Sequence, residues 1–197
     1  MAQSDPQQRI LDAFEDAIVQ YGVQAASFSR IATIGGFHRT LVQHHFGSRT
    51  RLVHAAVARL CTYYQRRTLE VLAAAPTQRR LETLLDWLLS SFGADGPPRP
   101  ARAVDAFIAI APTDTVIAQH LRQLYGGFRS ALDTELREQH PSLSPTVRAD
   151  LAFSWVCLAF GRAGLDTLED PTARATTARR ACDHLLTVAL SRPSVVA

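Results

Sequence analysis

The 197-residue chain is 47% apolar and carries a net charge of only +3, a composition that supports a buried core and excludes a disordered chain. Cys61, Cys157 and Cys182 are odd in number and far apart in sequence, which excludes a disulfide framework and any Cys-x-x-Cys metal site. No run of about 18 uncharged apolar residues occurs, and the first nine residues, MAQSDPQQR, lack the apolar core of a signal peptide, so a cytoplasmic protein without a membrane partner is expected. The charge is unevenly spread. Residues 1–80 hold ten arginines against five acidic residues, and residues 81–197 hold eleven against thirteen. A basic first part joined to a mildly acidic second part suits a module that meets phosphate and a body that does not.

Helical periodicity runs through the chain and no alternating strand pattern appears, so the expected fold class is all-α, with about nine helices. The first helix, about Gln7 to Tyr21, places Ile10, Phe14, Ala17, Ile18 and Tyr21 on one face and Asp12, Glu15 and Asp16 opposite, and Gly22 ends it. Ser27 caps a short helix through Ile34, Gly35-Gly36 makes a turn, and His38 to His45 forms a third helix. Gly47-Ser48 opens a long helix from about Thr50 to Ala75, stopped by Pro76. Further helices are expected at about 77–92, 101–111, 113–139, 146–168 and 172–191, with an exposed Gly/Pro-rich loop at 93–100.

The stretch from Ser27 to Phe46 has the pattern of a helix-turn-helix, which places one short helix in the major groove of a duplex. Ile31, Ala32 and Val42 pack inward and leave Arg39, Thr40, Gln43 and His44 outward, side chains that bond base edges or phosphates. Ser27 and Arg30 stand at the start of the supporting helix. Ser48, Arg49 and Arg51 open the fourth, where free N–H groups welcome a phosphate. By turn chemistry alone, an ordinary helical corner with a solvated polar face fits equally well. His38, His44, His45 and His54 cluster in sequence, but adjacent His44 and His45 diverge on a helix and no Cys or carboxylate accompanies them, so no metal is expected.

Residues 9–54 resemble the DNA-binding domain of the tetracycline-repressor (TetR) family of regulators. The resemblance rests on Ile10-Leu11-x-Ala13-Phe14, Gly22, Ser27, Ile31-Ala32, Gly36-Phe37-His38, Val42-Gln43-His44-His45-Phe46 and Ser48-Arg49-x-x-Leu52, matched without a gap. It implies a head at 6–66 (helix-turn-helix about 27–46) and an effector-binding and dimerisation body at 67–197. Ser27, Arg30, His38, Arg39, Thr40, Gln43, His44, Ser48 and Arg49 become the DNA-binding candidates, on a palindromic operator in double-stranded DNA. The chain departs from the family pattern at Gly35 (usually alanine), Phe37 (valine), His38 (the capping serine) and Gln43 (a phosphate-touching tyrosine).

Leu151 to Leu165 is apolar nearly all round and must be covered on both sides. The resemblance pairs the last two helices with their copies in a homodimer, through Leu151, Trp155, Leu158, Gly161, Leu185, Leu186 and Ala189. It also implies a cavity among the middle helices for a small apolar or aromatic effector. Trp87, Phe107, His120, Leu124, Tyr125, Phe128 and Trp155 are its candidate lining, with Phe92 and Ile110 beside them. No GxSxG, P-loop, HExxH or paired acid–base motif is present, so neither an enzyme nor a cofactor is expected. The functional expectation is a repressor released by its effector. The alternative is a helical ligand-binding or adaptor protein whose head has lost operator binding.

Overall fold

The computed structural model describes residues 5–90, 103–165 and 171–191, apart from the side chains of 162–165 and 171–175. Nine helices and no strand occur among them: α1 (Pro6–Tyr21), α2 (Phe28–Gly35), α3 (Arg39–Phe46), α4 (Arg49–Ala74), α5 (Arg80–Leu88), α6 (Val104–Ile110), α7 (Thr115–Gln139), α8 (Pro145–Leu165) and α9 (Pro171–Ser191). The helix expected at 77–92 begins instead with a 3-10 turn, Thr77–Arg79, and its expected end at Phe92 lies outside the described residues, as does the 93–100 loop. A second 3-10 turn, Ala111–Thr113, contains Pro112 and separates α6 from α7. Asp114 then caps α7, its Oδ1 accepting from Val116 N at 3.0 Å and Ile117 N at 3.2 Å, which is why α7 starts two residues later than expected.

The chain divides into two compact units, one of Met1–Tyr64 with Ala94–Gln123, the other of Gln65–Gly93 with Leu124–Ala197. The first therefore takes in a segment beyond the 6–66 span read from the sequence, because packing and not chain order sets its extent.

In the first unit, Ile10, Phe14, Ala17 and Ile18 of α1 are buried, and α1 packs on α2, which packs on α3. Glu15 corrects the sequence reading. It is 1% exposed, not on an outer face, because Arg59 of α4 reaches it. Arg59 Nε donates to Glu15 Oε1 at 3.0 Å, and Nη1 donates to Asp12 Oδ1 at 2.8 Å. Burial alone would lower the Arg59 pKa, but the bonds and charges of Glu15 and then Asp12 outweigh it and hold the guanidinium above its usual value. The pair fastens α1 to α4.

The unusual turn between α2 and α3 has a steric explanation. Gly36, at φ +65°, supplies the left-handed residue that ends α2. The Phe37 ring lies directly over Gly35, so that a Cβ on Gly35 would fall 1.9 Å from Phe37 Cε1. Gly35 and Phe37 are thus sterically linked, the ring taking the space that a methyl at position 35 would need. Gly35→Ala in the native chain should destabilise by about 1–3 kcal/mol through overpacking. In a Phe37→Val background the same change should stabilise by about 0.5–1 kcal/mol through helix propensity. Urea titrations of the four proteins measure the cycle, and additive effects would refute the steric link.

In the second unit α5 packs on α8 and α8 on α9, around Leu81, Leu84, Leu85, Leu132, Leu136, Ala159 and Cys182. Arg148 of α8 donates to Asp133 of α7 at 2.9 Å. Arg179 of α9 bonds Asp86 of α5 and reaches Asp183 Oδ1 at 3.0 Å.

Candidate nucleic-acid interface and effector cavity

Helix α3 is anchored by Val42, which is fully buried, and Phe46. Arg39, Thr40, Gln43 and His44 are exposed on it, and His38 is exposed at its N-cap without a side-chain capping bond. A shallow concavity beside α3 is lined by His38, Thr40 and His44, by Phe37, and by Arg9 from α1. Arg9 is exposed, and its guanidinium has no partner among the described residues. Sequence reasoning missed it because only the packing of α1 and α2 brings residue 9 to the helix-turn-helix.

The other candidates fall into two groups. Ser27 Oγ accepts from Arg30 N at 3.3 Å and Ser48 Oγ from Arg51 N at 3.2 Å, so both serines are helix caps. Arg30 is exposed, yet Nη1 donates to Ala25 O at 2.7 Å and its guanidinium lies 4.9 Å from the centre of the Tyr21 ring. Gln43 Nε2 donates to Gly47 O at 3.1 Å, closing the end of α3. Arg49 is the clearest departure from expectation. Its Nη2 donates to Val23 O, and it lines a small cavity with Val53, Asp114 and Ile117 instead of standing free. Arg51, two residues on, is exposed and has no side-chain partner among the described residues.

Of the effector-cavity candidates, Phe107 and His120 belong to the first unit, where Phe107 is core and the His120 carbonyl accepts from Cys61 Sγ at 3.4 Å. Ile110 also lies there, and Phe92 is outside the described residues. The others lie in the second unit. Leu124 and Phe128 line a cavity of about 500 Å³ between α7 and the C-terminal part of α4. Trp87 and Tyr125 belong to an aromatic cluster behind it, with Trp87–Phe128 centroids 6.0 Å apart and Tyr125–Phe160 centroids 4.6 Å apart. Trp155 is 1% exposed, and its Nε1 has no hydrogen-bond partner among the described residues. The α4 side of the cavity, Leu69 and Leu72, was not among the candidates, which were sought on the helices after Pro76 although residues 67 onward already counted with the body.

Helix α8 is apolar nearly all round from Leu151 onward, and among the described residues part of its apolar surface is left exposed. Leu151 and Trp155 are buried within the chain. Phe153 at 56%, Cys157 and Gly161 of α8 are exposed, with Leu185 and Leu190 of α9. Leu158, Leu186 and Ala189 are half-buried. Phe153, Cys157 and Gly161 share one face of α8 through their i, i+4 spacing.

These features define an all-helical protein with a helix-turn-helix at one end of its chain. Solved structures share that fold along nearly the whole length. A TetR transcription regulator from Haloarcula marismortui aligns with TM-score 0.79 and 19% identity, covering 95% of this chain and 99% of that one. A transcriptional regulator from Rhodococcus sp. Rha1 aligns at 0.73 and 24%, covering 95% and 99%. A protein described as a transcriptional regulator from Saccharomonospora viridis, in complex with choline, aligns at 0.77 and 16%, covering 94% and 97%. No family model and no curated protein matches the sequence. The chain has the fold of the TetR-type regulators.

Proposed function

We propose that this chain is a cytoplasmic, DNA-binding transcriptional regulator, a repressor that acts as a homodimer and is released by a small molecule. The observation that carries the reading is α3: anchored by Val42 and Phe46, it leaves Arg39, Thr40, Gln43 and His44 exposed, with Arg9 and Arg51 nearby. Thr40 and His44 reach base edges, and Arg39 reads a base or holds a phosphate. Arg9 and Arg51 hold phosphates, and Ser27 and Ser48 present helix N-termini to the backbone. Arg49 supports the site by tying the start of α4 to the Val23 carbonyl.

Selection from a random duplex library, followed by gel-shift titration at two salt concentrations, tests the reading. Recovery of an inverted repeat bound tightly and with a steep salt dependence is expected. No retardation at low salt would overturn it and leave a ligand-binding protein without operator function.

Dimerisation is assigned to the exposed strip of Phe153, Cys157, Gly161, Leu185 and Leu190, because a palindrome needs two heads. Burial raises the thiol of Cys61 to about 11 and, helped by the nearby Asp183 charge, that of Cys182 to about 12. Cys157 alone of the three is exposed, so a thiol reagent at pH 8 should titrate one cysteine per chain. Labelling should slow several-fold as protein concentration rises through dimer formation; a rate independent of concentration would exclude this interface.

A further inference from the structure

The cavity of the second unit has an asymmetry that narrows what it takes. Its walls are mostly apolar, from Leu69 and Leu72 of α4 and Leu124 and Phe128 of α7. No arginine or histidine lines it, and the one charged lining residue is Glu135. Glu135 is 6% exposed, and its carboxylate has no hydrogen bond or ion pair among the described residues. The contrast with the other buried carboxylate is direct, since Glu15 is met by Arg59. As the one charge lining a largely apolar cavity, the carboxylate attracts a cation brought into that space from outside.

Resting on the effector-regulated reading, we infer that this cavity binds a small organic cation, an apolar or aromatic body bearing an ammonium group, with Glu135 as its counter-charge. The volume of about 500 Å³ lies within the range of sites for molecules of drug size. The Leu69–Leu72 wall takes the apolar body, and Phe128, backed by Trp87 and Phe160, offers an aromatic face to the ammonium. Gly127 opens onto the same space: a Cβ there would meet no atom within 4 Å.

The test uses the full chain and two probes of one shape, benzyltrimethylammonium and its neutral isostere neopentylbenzene, followed by Trp fluorescence and calorimetry. The cation should bind at least about tenfold more tightly than the isostere, a ratio equivalent to about 1.4 kcal/mol. Glu135→Gln should remove that preference while leaving the isostere unchanged. Gly127→Leu, which fills the cavity and strengthens the helix, should abolish both. Equal affinity for the two probes, no binding of the cation, or a cation affinity indifferent to Glu135→Gln would overturn the inference. DNA retardation is measured on the same samples without probe: its loss counts against the regulator reading alone, and its persistence without cation selectivity counts against the inference alone.

Discussion

Arg59→Ala should lower the stability of the first unit by about 3–5 kcal/mol, the expected cost of removing one partner of a buried ion pair. Glu15, 1% exposed, loses both of its guanidinium bonds, and Asp12 loses the same donor. Because the chain has two compact units, a single unfolding midpoint can conceal the change. Hydrogen exchange of the α1–α3 amides is the appropriate measure: their opening energy should fall while that of α8 stays constant. Replacing both partners, Glu15→Leu with Arg59→Met, should recover most of the loss, since well-packed apolar residues match a buried pair. A loss below about 1 kcal/mol, the range of surface pairs, would show that Glu15 is hydrated and the fastening of α1 to α4 incidental.

Thr40→Ala and Arg51→Ala should separate reading from holding. Thr40 is exposed on α3, so its loss should cost about 1–3 kcal/mol on the operator and change which base pair is preferred there, leaving random duplex unaffected. Arg51 is exposed at the start of α4, and its loss should weaken all sequences alike and reduce the log–log salt slope by about 1. Arg49→Ala belongs to neither kind: with its guanidinium on the Val23 carbonyl, it should shift the unfolding of the head before it shifts the salt slope. Salt-dependent titrations on operator and random duplex measure all three. Uniform loss on every sequence for Thr40→Ala would remove it from the reading face.

The helix-turn-helix was legible because its signals are local. A serine cap accepts an N–H three residues away, a left-handed glycine ends a helix, and a period of 3.6 sorts Val42 inward and Thr40 outward. The same locality misplaced Glu15. A carboxylate at the edge of an apolar face reads as solvated until an arginine 44 residues later is known to cover it.

Composition alone established that α8 must be covered on two sides, but not which side its own chain covers. Packing against α5 and α9 took Leu151 and Trp155 into the core and left Phe153 and Cys157 outside. The expected aromatic cavity was divided likewise, since Phe107 and His120 cluster with the head while Leu124 and Phe128 face α4.

By itself, then, the sequence determined an all-helical chain, the serine caps of α2 and α4 and the outward face of α3, because each depends on residues within a turn or two. Only the tertiary structure decided that Arg49 is a tie, that Arg9 lies beside α3, and that Glu135 is a cavity carboxylate without a partner among the described residues. Those are properties of distances between residues far apart in the chain, and periodicity carries no record of them.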